Sequence, residues 1–243
     1  MKKLKLSCIL LCIIVGCHAQ FNDTVQHYIR FASSGVINKT NNASSYVLNN
    51  NLNFNAQQKH INYNTSFNWI YGAQQKNLTN NDFNATGNVD INKRLHKLYY
   101  WGLITFDKSY SLNINYRLQA GAGLAYKIID SPYLKINISD GFLYEKGNLI
   151  DADIGKNVYQ TPRNSFRLTY HWTIYKRLQL DGLQFYQPSL LSIKDYIIQS
   201  DNTIAVKLNE WLSITGSLVY NVVSQTRRNN LLFTYGLTVE KYF

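Results

Sequence analysis

Cysteine is nearly absent from this 243-residue chain: Cys8, Cys12 and Cys17 all lie in the first seventeen residues. Everything after them has neither a disulfide framework nor a thiolate metal site. Proline is scarce as well, and Pro132, Pro162 and Pro188 fall in apparent turns or loops, where proline does not interrupt a strand ladder. Acids are few, 14 against 25 Lys and Arg, for a formal charge of +11. Past the N-terminus there is no apolar run of about 18 residues, the minimum for a membrane helix, and no helical 3.6-residue period. The mean hydropathy of −0.27 looks like that of a soluble protein. A glycine-rich phosphate loop is also missing, because Gly121 and Gly123 lie within a strand pattern with no helix after it. Relief of crowding, or curvature of the wall, is their expected role.

The stretch LNINYRLQAGAGLAYKI, Leu112 to Ile128, organises what remains. Its even positions are apolar or aromatic; its odd ones are mostly polar or small, among them Asn113, Arg117, Gln119 and Lys127. Only a β-strand sends alternate residues to opposite faces. Globular strands run to about 5–6 residues, whereas a tilted strand crossing a bilayer needs roughly 9–11. A long strand with one greasy and one wet face fits the wall of a closed antiparallel transmembrane β-barrel. Hydropathy averages miss such walls, since only alternate residues meet lipid.

The N-terminus reads as an export signal. Lys2, Lys3 and Lys5 precede an apolar segment, Ile9 to Val15, and the small-x-small site Cys17-His18-Ala19, so residues 1–19 are expected to be a signal peptide and 20–243 the barrel. Ile14-Val15-Gly16-Cys17 also resembles a lipobox, which would leave a lipidated Cys17 in place of cleavage after Ala19. With three lysines and no acids in the leader, cleavage lowers the charge from +11 to +8. Export argues against nucleic acid as the partner for that surplus; anionic headgroups or acidic solutes in a lumen suit it better.

Twelve strands are expected, with ten or fourteen allowed by soft boundaries. Asn49, Asn51, Asn53 and Asn55 alternate with Leu48, Leu52 and Phe54; Asn62, Asn64, Ser66 and Asn68 with Tyr63, Phe67 and Trp69; Asn84, Thr86, Asn88 and Asp90 face inward on a fourth strand. Kept alternation argues against disorder in this Asn-rich region, and triplets such as Asn77-Leu78-Thr79 are accidents of composition. A phase slip at Asp181-Gly182 predicts a bulge. Connections Asn38 to Ser44, Ala73 to Asn81, Glu145 to Asn164 and Ser224 to Asn230 are expected to be long external loops opposite short periplasmic turns. Aromatic girdles at the headgroup levels are expected to hold Tyr99, Tyr100, Trp101, Tyr110, Tyr116, Tyr126, Tyr133, Tyr144, Trp172 and Trp211.

The chain closes on TYGLTVEKYF, with Tyr235, Leu237 and Val239 in phase and a terminal Phe243. This resembles the C-terminal strand that outer-membrane barrels present to their assembly machinery. YSLNINYRLQAGAGLAYKI, FRLTYHWTIYKRLQLDGLQFYQPSL and DYIIQSDNTIAVKLNEWLSITGSLVY are similar to the salt-induced outer-membrane protein family, a group of unknown function. The likeness runs from about Tyr99 to Phe243 and implies an outer-membrane location with no established activity. It brings no site residues, and the Asn-rich first half departs from it.

Chemistry is sparse. Barrel phospholipases and lipid A deacylases use a His-x-Ser pair on one strand. His27, His60, His96 and His171 all lack it, His171-Trp172-Thr173 coming nearest. Thr needs a dedicated activator to act as a nucleophile, so no enzyme, cofactor or metal is expected. Asp151 and Asp153 form a weak cation pattern in an external loop. Arg117, Gln119, Lys127, Arg167 and His171, with Lys207 and Thr169, are the residues expected to face the lumen. Rings of cations select anions in a pore. Pairing with Asp90, Asp140 or Asp181 would instead make a closed structural network. Two functions follow: a non-enzymatic structural or stress-related barrel, or a small-solute channel with mild anion preference. The expected partners are outer-membrane lipids and, through Phe243, the assembly machinery.

Overall fold

The computed structural model describes residues 27–40, 43–58, 60–92, 97–175 and 177–242. The expected leader, His96 and Phe243 lie outside them. The strands are β1 (His27–Lys39), β2 (Ser44–Gln57), β3 (Ile61–Gln74), β4 (Asn77–Asn92), β5 (Leu98–Ser109), β6 (Ile114–Asp130), β7 (Leu134–Asp151), β8 (Gly155–Asn164), β9 (Phe166–Ile174), β10 (Leu178–Pro188), β11 (Tyr196–Lys207), β12 (Leu212–Val223) and β13 (Arg228–Tyr242). Neighbours pair antiparallel around a ring that β1 closes onto β13. Both β8 and β9 pair with β7 in one continuous register, Phe142 opposite Asn164 and Ser139 opposite Arg167, with Ser165 between them. They are one stave broken by a kink, and the wall is a closed antiparallel barrel of twelve. Closure lets every wall strand complete its backbone ladder internally, and in lipid each unmet N–H or C=O costs several kcal/mol.

Side chains follow the expected period. Phe31, Leu52, Phe67, Leu124, Phe142 and Phe233 are exposed on the outside, while Ser34, Asn49, Thr105, Gln119, Ser139 and Thr234 are buried within. An exterior this apolar suits a hydrocarbon solvent. The Asn-rich region forms three full strands, β2 to β4.

Several expectations need correction. The segment Glu145 to Asn164 is no loop: β7 and β8 continue as a long hairpin turning at 152–154. Ala73 to Asn81 is also mostly strand, joined by the two-residue turn Gln75-Lys76 with φ of 50° and 68°. Such a turn needs positive φ twice and normally advertises itself as Asn-Gly; Gln-Lys gives no such signal. Long external loops are thus replaced by longer strands. No register shift occurs at Asp181-Gly182. The apparent slip arises because Leu183 and Phe185 face the lumen, apolar residues on the wet side. Bulges sit elsewhere, between Asp107 and Ser109 and between Ile114 and Tyr116, so Leu112 and Ile114 turn inward and are buried.

Two of the expected girdle residues are inside. Trp101 is 3% exposed and Tyr99 is buried beside Leu103, Ala125 and Leu143. Glycines make the room: a Cβ on Gly123 or Gly141, opposite one another on β6 and β7, would lie 2.7 or 2.6 Å from the Trp101 ring. Trp69, Trp172 and Trp211 are exposed outside. In single-tryptophan variants, brominated lipid is expected to quench those three and leave Trp101 at its unquenched intensity; equal quenching of Trp101 would reverse the assigned phase.

Candidate functional site

The lumen encloses a cavity of about 640 Å³, running from Tyr28, Asp90 and Asp181 near the end that holds β1's start and β13's finish to Ser111, Leu112 and Asn230 at the distal end. Its two halves differ in chemistry. β2 and β3 carry no acid, base or histidine along their whole length, and Asn49, Asn51, Asn53, Asn55, Asn64 and Asn68 line the cavity. The opposite wall, β5 to β10, holds most of the inward charge.

Arg117 and Arg167 line this cavity. Arg117 Nε donates to Asp107 Oδ2 at 3.0 Å, while its Nη1 has no hydrogen-bond partner among the described residues. Arg167 Nε donates to Ser139 Oγ at 3.0 Å and Nη1 to Asn88 Oδ1 at 3.3 Å. Its guanidinium lies 5.3 Å from the Trp101 ring centre and 6.0 Å from that of Phe185, at cation–π range. Lys127 pairs with Asp130 at 3.0 Å and Lys207 with Glu240 at 2.8 Å. Of the acids expected as partners, Asp181 is engaged by His171 at 2.6 Å and Arg30 at 3.9 Å. Asp140 is not: it is exposed on the outer face and accepts from Asn164 at 2.8 Å.

Gln119 leads to a cluster that the sequence concealed. Its amide donates to Glu145 at 2.5 Å and to Gln187 at 3.0 Å. Glu145, fully buried, takes two bonds from Arg163, each 2.8 Å, and one from the Tyr159 hydroxyl at 2.5 Å. Arg163 is 1% exposed and also reaches Asp195 at 3.0 Å and the Gln187 carbonyl at 3.2 Å. Burial pushes the Asp195 carboxyl up, against the pull of Arg163. Buried charges survive only when paired and hydrogen-bonded in this way. Reading 145–164 as a loop hid the cluster; the odd-numbered run Glu145, Tyr159, Thr161, Arg163 was the available signal.

The distal mouth is bridged. The turn after β5, Tyr110 to Asn113, folds inward, with Asn113 at φ 58°, a conformation Asn tolerates. Asp82 holds it, accepting from Ser109 Oγ and Ser111 Oγ, each at 2.7 Å, and from the Ser111 N–H at 3.0 Å. Across the barrel, Asn230 donates to Ser111 Oγ at 3.2 Å, and Leu112 and Ile114 pack on Val223. The tip of the β7–β8 hairpin joins this strap: Ala152 N–H donates to the Gln225 carbonyl at 3.0 Å. Its two aspartates do not converge on a cation. Asp151 caps the turn through the Asp153 and Ile154 N–H groups, and Asp153 pairs with Arg227 at 2.7 Å. Among the described residues no group of three metal-ligating side chains is found.

His171 stands between Asp181 at 2.6 Å and Thr173 Oγ1 at 3.1 Å, the order of a nucleophile–base–acid relay. An acyl-transfer site also needs donors for the oxyanion. Here the Thr173 N–H is spent on the Tyr133 carbonyl at 2.7 Å, and Arg30 Nη1 lies 3.9 Å from Asp181. The relay orders side chains at the lumen wall.

A family model described as a protein of unknown function, DUF481, matches residues 32–240. Among solved structures, the NanC porin aligns with a TM-score of 0.54 at 10% identity, over 89% of this chain and 99% of its own. An outer membrane channel from Pseudomonas putida F1 aligns at 0.53 and 10%, over 95% and 100%. The translocator domain of the autotransporter NalP from Neisseria meningitidis gives 0.52 and 9%, over 90% and 89%. At these identities the likeness is one of fold. No curated protein matches the chain in sequence.

Proposed function

The chain belongs to the DUF481 family, whose description assigns no role, and we propose from its lumen that it is an outer-membrane barrel passing small polar solutes without chemistry. The observation that carries this reading is the cavity of about 640 Å³ lined largely by polar side chains along the barrel. Its apolar outer face would meet lipid, and β13 would be the strand that assembly machinery reads. The end with the strand termini of β1 and β13 would be periplasmic, the strapped mouth external. Ion preference is expected to be weak. Inward Arg117, Lys127, Lys207 and His171 each have an acidic partner, while Lys39, Lys76, Lys108, Lys146, Lys156 and Arg228 are exposed near the distal rim, where salt screens them. A structural, non-conducting barrel is the second reading, favoured by the Leu112–Ile114–Val223 closure. The salt-induced label of the resembling group concerns regulation, and no residue of the wall carries it.

Planar-bilayer recording of the purified protein separates the two. Unit conductance steps are expected, with a reversal potential near zero in a salt gradient. A silent bilayer containing demonstrably heat-modifiable, folded barrel would leave the structural role.

A further inference from the structure

The uncharged wall of the lumen differs from what a merely wet pore requires. Solubility and hydration are served equally by charged, hydroxyl or amide side chains, yet of the eight β2 and β3 residues that line the cavity six are Asn, the others being Ser66 and Ile70, and none is an acid, base or histidine. Each Asn amide offers two donors and two acceptor sites. Rise along a strand and spacing between strands fix these amides on a grid of roughly 6.7 by 4.8 Å. The contacts they make with each other are few: Asn68 donates to Asn49 at 3.0 Å and Asn53 to Asn51, so most of their hydrogen-bonding capacity is directed into the cavity. Asn51, Asn53, Asn55, Asn64 and Asn68 are only half-buried there.

A ligand for such a surface must present donors and acceptors in equal measure and bring no charge, because the wall has none to offer in return. Most nearby charges are already engaged: Asp82 by the strap and Asp90 by Asn88 at 2.9 Å, while Arg30 lies 3.9 Å from Asp181 with its Nε unpartnered among the described residues. Hydroxyl groups on a rigid ring meet that demand, each donating once and accepting twice. The cavity's volume lies in the range of small-molecule sites.

We infer that the inward amides of β2 and β3 form a binding surface for neutral polyhydroxylated solutes, short uncharged oligosaccharides or cyclic polyols. The inference rests on the conduit reading, as the substrate class of that lumen, but a ligand can bind there whether or not ions flow.

The test therefore measures binding and not current. Protein purified from membranes is equilibrated by dialysis with labelled maltotriose, and separately with trigalacturonate of the same length. Saturable maltotriose binding is expected, at least about tenfold tighter than the charged trimer. Replacing Asn51, Asn53 and Asn68 together by leucine is expected to weaken it about tenfold or more, since each removed amide takes a hydrogen bond with it. If that variant loses its heat-modifiable mobility, the triple alanine variant takes its place. Lys156→Gln, at the distal rim and outside the cavity lining, is expected to leave binding unchanged. Equal or tighter trigalacturonate binding, or maltotriose binding that survives the Asn substitutions, would overturn the inference. A protein that conducts yet binds neither trimer refutes this substrate class while sparing the conduit; one that binds maltotriose and stays silent refutes the conduit alone.

Discussion

Arg163→Met is expected to destabilise the barrel by about 3–5 kcal/mol, the penalty for removing one partner of a buried ion pair. The loss is not simply that of a contact. Glu145 is 0% exposed and takes two of its bonds from the Arg163 guanidinium, so the variant leaves a carboxylate in the wall hydrogen-bonded by the Gln119 amide and the Tyr159 hydroxyl, with Arg117 as the remaining nearby cation. Urea unfolding in detergent, followed by loss of the heat-modifiable band, reads the effect as a lower midpoint at an unchanged slope. Adding Glu145→Gln is expected to recover much of the loss, because an amide has no charge to strand. A double variant as unstable as Arg163→Met alone would mean that the cavity left by arginine, and not the orphaned charge, is what costs.

Release of the strap is expected to be the largest functional change. Asp82→Ala removes the acceptor of three bonds that fold the turn after β5 over the mouth. A hydrogen bond to a charged group is worth about 1.5–3 kcal/mol, and each 1.4 kcal/mol is tenfold in an equilibrium. Open-state occupancy in a bilayer is therefore expected to rise about tenfold or more. The reverse experiment pins the strap: Ser111→Cys with Asn230→Cys places two thiols where side chains now touch across the barrel. No other cysteine follows residue 17, so oxidation is expected to reduce conductance and reductant to restore it. Conductance indifferent to both changes would show the strap to be no obstacle.

What could be read from the chain was set by alternation. Wherever an apolar residue faced out and a polar one in, as through Asn49 to Asn55 or Tyr116 to Ile128, strand and phase were both legible. Apart from the Gln75-Lys76 turn, which carried no turn signal, the failures share one cause: residues whose polarity does not report their side. Trp101, Leu183 and Phe185 are apolar and inside: glycines make room for Trp101, the Arg167 guanidinium lies near the Trp101 and Phe185 rings, and Leu183 and Phe185 line the lumen. Lys146 and Asn148 continue an outer face above the apolar band, so β7 ended too early on a hydropathy reading. The buried cluster around Arg163 was hidden because Glu145, Tyr159 and Arg163 fell in a supposed loop. Arg117, Gln119 and Arg167 were found because they lie on strands whose phase was already fixed.

The meeting of β1 and β13 decides in what order the ring can be made and broken. Among the described residues, Tyr28 through Gly35 pair with Tyr242 through Tyr235. Every other junction joins staves adjacent in the chain; this one joins residues two hundred apart, as in the 2.8 Å bond between Ser34 and Thr234. Loop-closure entropy makes such a contact slow to form, so the last strand must arrive before the first can be satisfied, and until then two raw edges face each other across a gap. Gly236 is cut to fit that gap, with Ser33 O only 2.1 Å from where a Cβ would stand. The seam is thus the latest joint to zip.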